Sequence, residues 1–177
     1  MELTKLERLM LMQNFRILAA LEPEEKEHYE RMEQIVTRGY EALYDELFTS
    51  IDPDAIPAEE SEFVYDVLDM YVAIHDAVEA HSIDLAAQEN FALRFIGFDG
   101  NNESRLLSFA GFAAREEDSI YAMFLRNGRF PNSHGPTRAR YQRMLDEYGQ
   151  RRTTGEALSA DDLEALRQAA VHPENHR

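Results

Sequence analysis

Residues 59–80 constrain the chain most. Projected at about 100° per residue, Phe63, Val64, Val67, Leu68, Met70, Tyr71, Ile74 and Val78 fill one broad face. Glu62, Asp66, Asp69 and Asp76 form a narrow acidic stripe opposite. A helix with an apolar face that wide has to be buried along most of its length. It is expected to be the spine of one hydrophobic core, and 177 residues suffice to build a core of ordinary size around it.

Helix signals dominate the rest. Thr4 followed by Glu7 has capping-box spacing and opens a helix running to about residue 21. Leu6, Leu9, Met10, Ile17 and Leu21 line one side of it, and Leu11, Phe15 and Leu18 line another. A helix apolar on two sides is buried on two sides, either as a central helix or as one shared with a second subunit. Pro23 suits a first helical position, Glu24, Glu25 and Glu27 suit the positive end of the dipole, and Tyr29, Met32, Ile35 and Val36 keep helical spacing up to Gly39. Leu43, Tyr44, Leu47 and Phe48 continue it, as a bent extension or a new helix. Residues 49–60, with Pro53 and Pro57, read as a loop.

Phe91, Leu93 and Phe95 alternate like a strand, but no second alternating segment exists to pair with them. An unpaired strand leaves its backbone groups unsatisfied, so the spacing predicts a helix followed by an extended or 3-10 turn. Capping residues at 99–102 precede a further helix that holds Leu106, Leu107, Phe109, Ala110 and Phe112, and others are expected over 119–126 up to Asn127-Gly128, over 137–148, and over 160–171 from Ser159 and Asp162. Residues 129–136 form a loop. The expected fold is all-α, a single-domain bundle of about 7–8 helices with at most one short extended segment near 91–98. Residues 1–171 form its ordered core, and the tail from His172 frays.

Composition excludes several functions. No cysteine means no disulfide, no thiolate metal site and no cysteine nucleophile. No apolar run approaches the roughly 20 residues that span a bilayer, and none near the start suits a signal peptide. A cytoplasmic protein with no membrane partner is expected. The net charge of −16 argues against direct nucleic-acid binding, which needs clustered cations. The charge is unevenly spread: residues 126–152 hold seven arginines against two carboxylates, Asp146 and Glu147.

Candidate chemistry is sparse. Glu25 and His28 have the Glu-x-x-His spacing of di-iron bundles, but those sites need a second such pair, and none exists. His75 and Glu79 lie at i, i+4, yet the projection sets His75 beside Val64, Leu68 and Tyr71, as a hydrogen-bonded core residue. The acidic stripe reads as a solvated face. Asp99-Gly100-Asn101-Asn102-Glu103 starts like a calcium loop but lacks its later glycine and glutamate, so it reads as a turn and helix cap. Phosphate-binding, dinucleotide and nucleophile-elbow glycine motifs are absent. Neither a metal nor a cofactor is expected.

Five ordered strings carry a resemblance. They are Arg38-Gly39-Tyr40, Met70-Tyr71 with His75, Phe95-Ile96-Gly97-Phe98-Asp99, Tyr141-Gln142-Arg143-Met144-Leu145 and Leu158-Ser159-Ala160. Together they resemble the YfbU family of small prokaryotic proteins over residues 6–170. The resemblance implies a helical, cytoplasmic domain without an established activity. In some relatives it is joined to a helix-turn-helix segment, which implies a ligand-sensing role; here such a role would work through a partner protein.

Two functional classes remain at this level. The first is a non-enzymatic binding module that holds a small anionic metabolite and forms a homodimer through its N-terminal helix. The second is an enzyme with a site assembled from dispersed residues. For the first, Arg138, Arg140 and Arg143 near a helix start, with Tyr71 and His75, are the candidate ligand-binding residues, because guanidinium forks and free N–H groups favour anions. The competing reading pairs these arginines with the chain's own carboxylates, such as the stripe near Asp69.

Overall fold

The computed structural model describes residues 2–52, 55–151 and 157–171; Pro53, Arg152 and the tail from His172 lie outside the described residues. The described residues form six α-helices and four 3-10 segments, with no named strand, which makes the fold all-α. They divide into two compact units, 1–55 and 56–177.

The first unit is a helical hairpin. Helix α1 (Lys5–Leu21) starts with the Thr4–Glu7 capping box and α2 (Lys26–Arg38) ends at Gly39, whose φ of 71° supplies the left-handed cap. Arg8 ties the two helices together: its Nε donates to Val36 O at 2.7 Å and its Nη2 to Thr37 O at 2.9 Å, satisfying carbonyls at the end of α2. Beyond Gly39 the chain neither bends onward nor starts an α-helix; Glu41–Phe48 is 3-10. Met32, Ile35 and Tyr44 form the buried core here, with Phe15 packed against them.

The expectation of a central α1 fails. No residue of α1 is buried. Leu11, Phe15 and Leu18 are half-buried, whereas Leu6, Leu9, Met10, Ile17 and Leu21 are all exposed.

The second unit is organised by α3 (Ala58–Ala80), which buries every one of the eight apolar residues named for its face. Around it lie α4 (Ser104–Ala113), α5 (Arg138–Arg151) and α6 (Ala160–Ala170). The Ser159–Asp162 capping box opens α6. Residues 119–126 contain a 3-10 segment, Ile120–Phe124, and then the Asn127–Gly128 turn, where both residues have positive φ.

The alternating stretch resolves as the spacing predicts. Gln88–Leu93 is 3-10, and Arg94 is extended. Phe98 bridges Asn132 in parallel, and Ser133 N donates to Phe98 O, so this extended segment finds a partner in the 129–136 loop. Gly97 makes the approach possible: its φ is +85°, and a Cβ there would lie 1.7 Å from Pro131 O. Its carbonyl accepts the Tyr141 hydroxyl at 2.8 Å. The buried segment 95–99 therefore threads between α3 and α5.

Candidate functional site

An aromatic cluster grows from this thread. The Phe95 ring lies 5.0 Å from Tyr71, 4.8 Å from Phe124 and 5.4 Å from Phe130, and Tyr71 meets Tyr141 edge-on at 5.5 Å. Beside it is a cavity of about 220 Å³. Tyr71, Ile74 and His75 line it from α3, Leu93 to Phe95 from the extended turn, and Met123 and Phe124 from the 3-10 segment before Asn127; Leu85 and Arg126 complete it. The walls are mainly apolar, with His75, Arg94 and Arg126 as the ionisable groups beside Tyr71.

His75 is not the core residue that the helix projection suggests. Its side chain is 40% exposed and its Nε2 stands 3.4 Å from Glu79 Oε1. Tyr71, one turn earlier, is fully covered; burial pushes its hydroxyl up to about 12, against the neighbouring Arg140 guanidinium, which favours the phenolate. The Tyr71 hydroxyl has Met144 Sδ at 3.5 Å.

The five candidate residues separate. Tyr71 and His75 share the cavity, and Arg140 lies behind Tyr71 with its Nη2 donating to Ala92 O at 2.6 Å and its guanidinium over the Tyr141 ring. Arg143 is engaged at the end of α6, where Nε donates to Ala169 O at 3.0 Å and Nη2 to Ala170 O at 3.2 Å. Arg138 stands elsewhere, ion-paired with Glu60 at 3.1 Å and stacked over Phe63. Asp69 of the acidic stripe has a different partner from the arginines suggested for it: it accepts the Tyr121 hydroxyl at 2.7 Å.

The start of α5 holds an internal anion. Glu103 Oε1 accepts from Thr137 N at 2.8 Å and from Arg138 N at 2.7 Å, while Oε2 accepts from Thr137 Oγ1 at 2.8 Å and Asp99 N at 3.0 Å. The N–H groups of Thr137 and Arg138, two of those that favour a bound anion at a helix start, are thus taken by a side chain of the chain itself. Asp99 shapes the adjoining turn, accepting from Asn101 N and Asn102 Nδ2, and these bonds hold its carboxyl below the usual range.

Sequence reasoning missed Arg94 and Arg126. Arg94 lays its guanidinium over Phe91 at 5.4 Å, and its buried Nε has no hydrogen-bond partner; the Arg140 Nε is in the same state. Neither Arg94 nor Arg126 has a carboxylate within ion-pair distance among the described residues. Among those residues, no three His, Asp or Glu side chains gather in a way that could hold a metal ion. No helix among them is long and apolar enough to cross a membrane.

Four of the five strings singled out in the sequence converge in the second unit, where Phe95 to Asp99 lies against Tyr71 and Tyr141 and Arg143 reaches the helix that follows Leu158-Ser159; Arg38-Gly39-Tyr40 belongs to the first unit. The YfbU domain model matches residues 1–169. The chain belongs to the YfbU family. A curated relative, UPF0304 protein MJECS11 of Methanocaldococcus jannaschii, is 31% identical over 147 residues, covering 81% of this chain and 86% of the relative. The YfbU match spans both compact units, so the hairpin of α1 and α2 belongs to the family domain as much as the aromatic thread does.

Proposed function

We propose that this YfbU domain is a non-enzymatic binding module that takes a small organic anion with an apolar body into the Tyr71–His75 cavity. The observation that carries the reading is the pair Arg94 and Arg126, unneutralised by any described carboxylate at the edge of an apolar cavity. In a chain of net charge −16, other arginines do find carboxylates: Arg16 pairs with Glu33, Arg31 with Glu46 and Arg138 with Glu60. Among the described residues, Arg94 and Arg126 each have only a long hydrogen bond to a backbone carbonyl, Ala87 O at 3.4 Å and Phe95 O at 3.5 Å. Two guanidiniums without a carboxylate beside apolar walls suit a molecule with a carboxylate or phosphate at one end and a hydrocarbon body at the other. The long-range field of the protein opposes anions, but it is screened within about 8–10 Å at ordinary salt, so the local forks decide.

The cavity groups favour recognition over catalysis. Tyr71 holds its proton far above neutral pH with its hydroxyl directed at Met144 Sδ, and no other hydroxyl and no amine is among the residues lining the cavity. The volume limits the guest to something smaller than a drug-sized ligand, whose pockets begin near 300 Å³.

Thermal melts with benzoate, phenylacetate and phenyl phosphate, set against acetate and inorganic phosphate, test this. The apolar-bodied anions should raise the melting temperature, by an amount equivalent to about 2.7 kcal/mol at a hundred times their dissociation constant. The two small controls should not, and Arg94→Ala or Arg126→Ala should remove the shift. A flat response to all three organic anions, or a shift that both variants keep, would discard the reading.

A further inference from the structure

The outward side of α1 is an uncharged stripe. At about 100° per residue, Leu6, Leu9, Met10, Gln13, Ile17, Ala20 and Leu21 fall within roughly 120° of the helix circumference. All seven are exposed, with Leu6 at 65%, Met10 at 58% and Leu21 at 71%. The opposite side carries the half-buried Arg8, Leu11, Phe15 and Leu18 that hold α2. The two sides are therefore distinct, and the outward one is surplus to the hairpin's own packing.

We propose that this stripe pairs with the same stripe of a second copy, antiparallel and centred on Gln13. Three features select a second copy as the occupant. The five large side chains expose roughly 500 Å² per chain, so their complete burial in two copies would remove about 1,000 Å², the lower limit for a specific interface. A stripe without charge offers a foreign partner no ionic handle, whereas it is complementary to itself. Gln13 is the midpoint of Lys5–Leu21, and about it five of the seven stripe residues find a stripe residue opposite, while Met10 and Leu21 meet the aliphatic stems of Arg16 and Lys5 at the stripe's edge. Antiparallel pairing sets Leu9 of one copy opposite Ile17 of the other and Leu6 opposite Ala20, large against small. The single polar residue then meets its own copy, and a glutamine amide both donates and accepts. This pairing is independent of the anion cavity, which lies in the other unit.

The full-length protein in light scattering or sedimentation should have twice the chain mass. Leu9→Glu combined with Ile17→Glu should return it to the monomer with unchanged helix content, because both side chains are exposed in the single chain. The absence of cysteine permits a second, independent measurement. Gln13→Cys should form a disulfide-linked dimer under mild oxidation. Leu6→Cys should not, since antiparallel pairing separates the two copies of that position by about 21 Å at 1.5 Å per residue. A monomeric wild type would assign the stripe to another protein or another part of the chain and overturn the pairing. So would a dimer that survives the double substitution. Ready cross-linking through Leu6→Cys would overturn the antiparallel register.

Discussion

Tyr71 couples the core to the cavity, and its hydroxyl gives a pH signature. Its ring packs on Phe95 and Tyr141, while burial raises the hydroxyl from the usual 10 to about 12. A raised value means that the folded form holds its proton longer than the unfolded chain does. The stability it contributes is complete below pH 10 and is lost as pH rises from 10 to 12, on the order of 2–3 kcal/mol in all. Tyr141, pushed in the same direction by burial, adds to this. An alkaline titration followed by phenolate absorbance should therefore show late, steep ionisation coincident with loss of helix, and Tyr71→Phe should make the loss of helix more gradual. At this scale the sequence was a partial guide. Arg138, Arg140 and Arg143 stood out by local density, but which carboxylate or carbonyl each one meets depends on residues more than twenty positions away. Arg94 carried a signal of its own: it is the single lysine or arginine between Arg38 and Arg105, set inside the apolar run Phe91 to Phe98.

Helices declared themselves through local chemistry, and that is why they were legible. The Thr4 and Ser159 capping boxes, the Gly39 cap and the α3 apolar face are all read within one or two turns of chain. What local reading could not supply was the cap of α5, which comes from Glu103, 34 residues before Thr137. Its carboxylate is the joint between the turn at 97–103 and the first turn of α5. Glu103→Ala removes the acceptor of four donors at once and should cost about 2–4 kcal/mol in denaturant unfolding. Glu103→Gln keeps one accepting oxygen and should cost clearly less. Equal losses for the two variants would mean that packing rather than hydrogen bonding sets the effect. The same non-local logic explains the extended turn: alternation of Phe91, Leu93 and Phe95 is visible in sequence, but its contact with Asn132 and Pro131 is not, because a loop of prolines and glycine shows no strand pattern.

At the scale of the whole molecule, the core around α3 and the small core around Met32, Ile35 and Tyr44 share no residue. Each unit carries its own reason to stay folded, of very unequal size, since among the described residues four buried apolar side chains, Met32, Ile35, Val36 and Tyr44, anchor the hairpin. Heat absorption in a scanning calorimeter should accordingly resolve into two peaks, a small one from the hairpin and a large one from the unit around α3. Pairing through α1 acts only on the folded hairpin, so mass action raises its midpoint alone. Diluting the sample should move the small peak to lower temperature and leave the large one where it is, while phenylacetate should do the reverse. One instrument would then address the two ends of the chain separately, with protein concentration as the handle on one and ligand as the handle on the other.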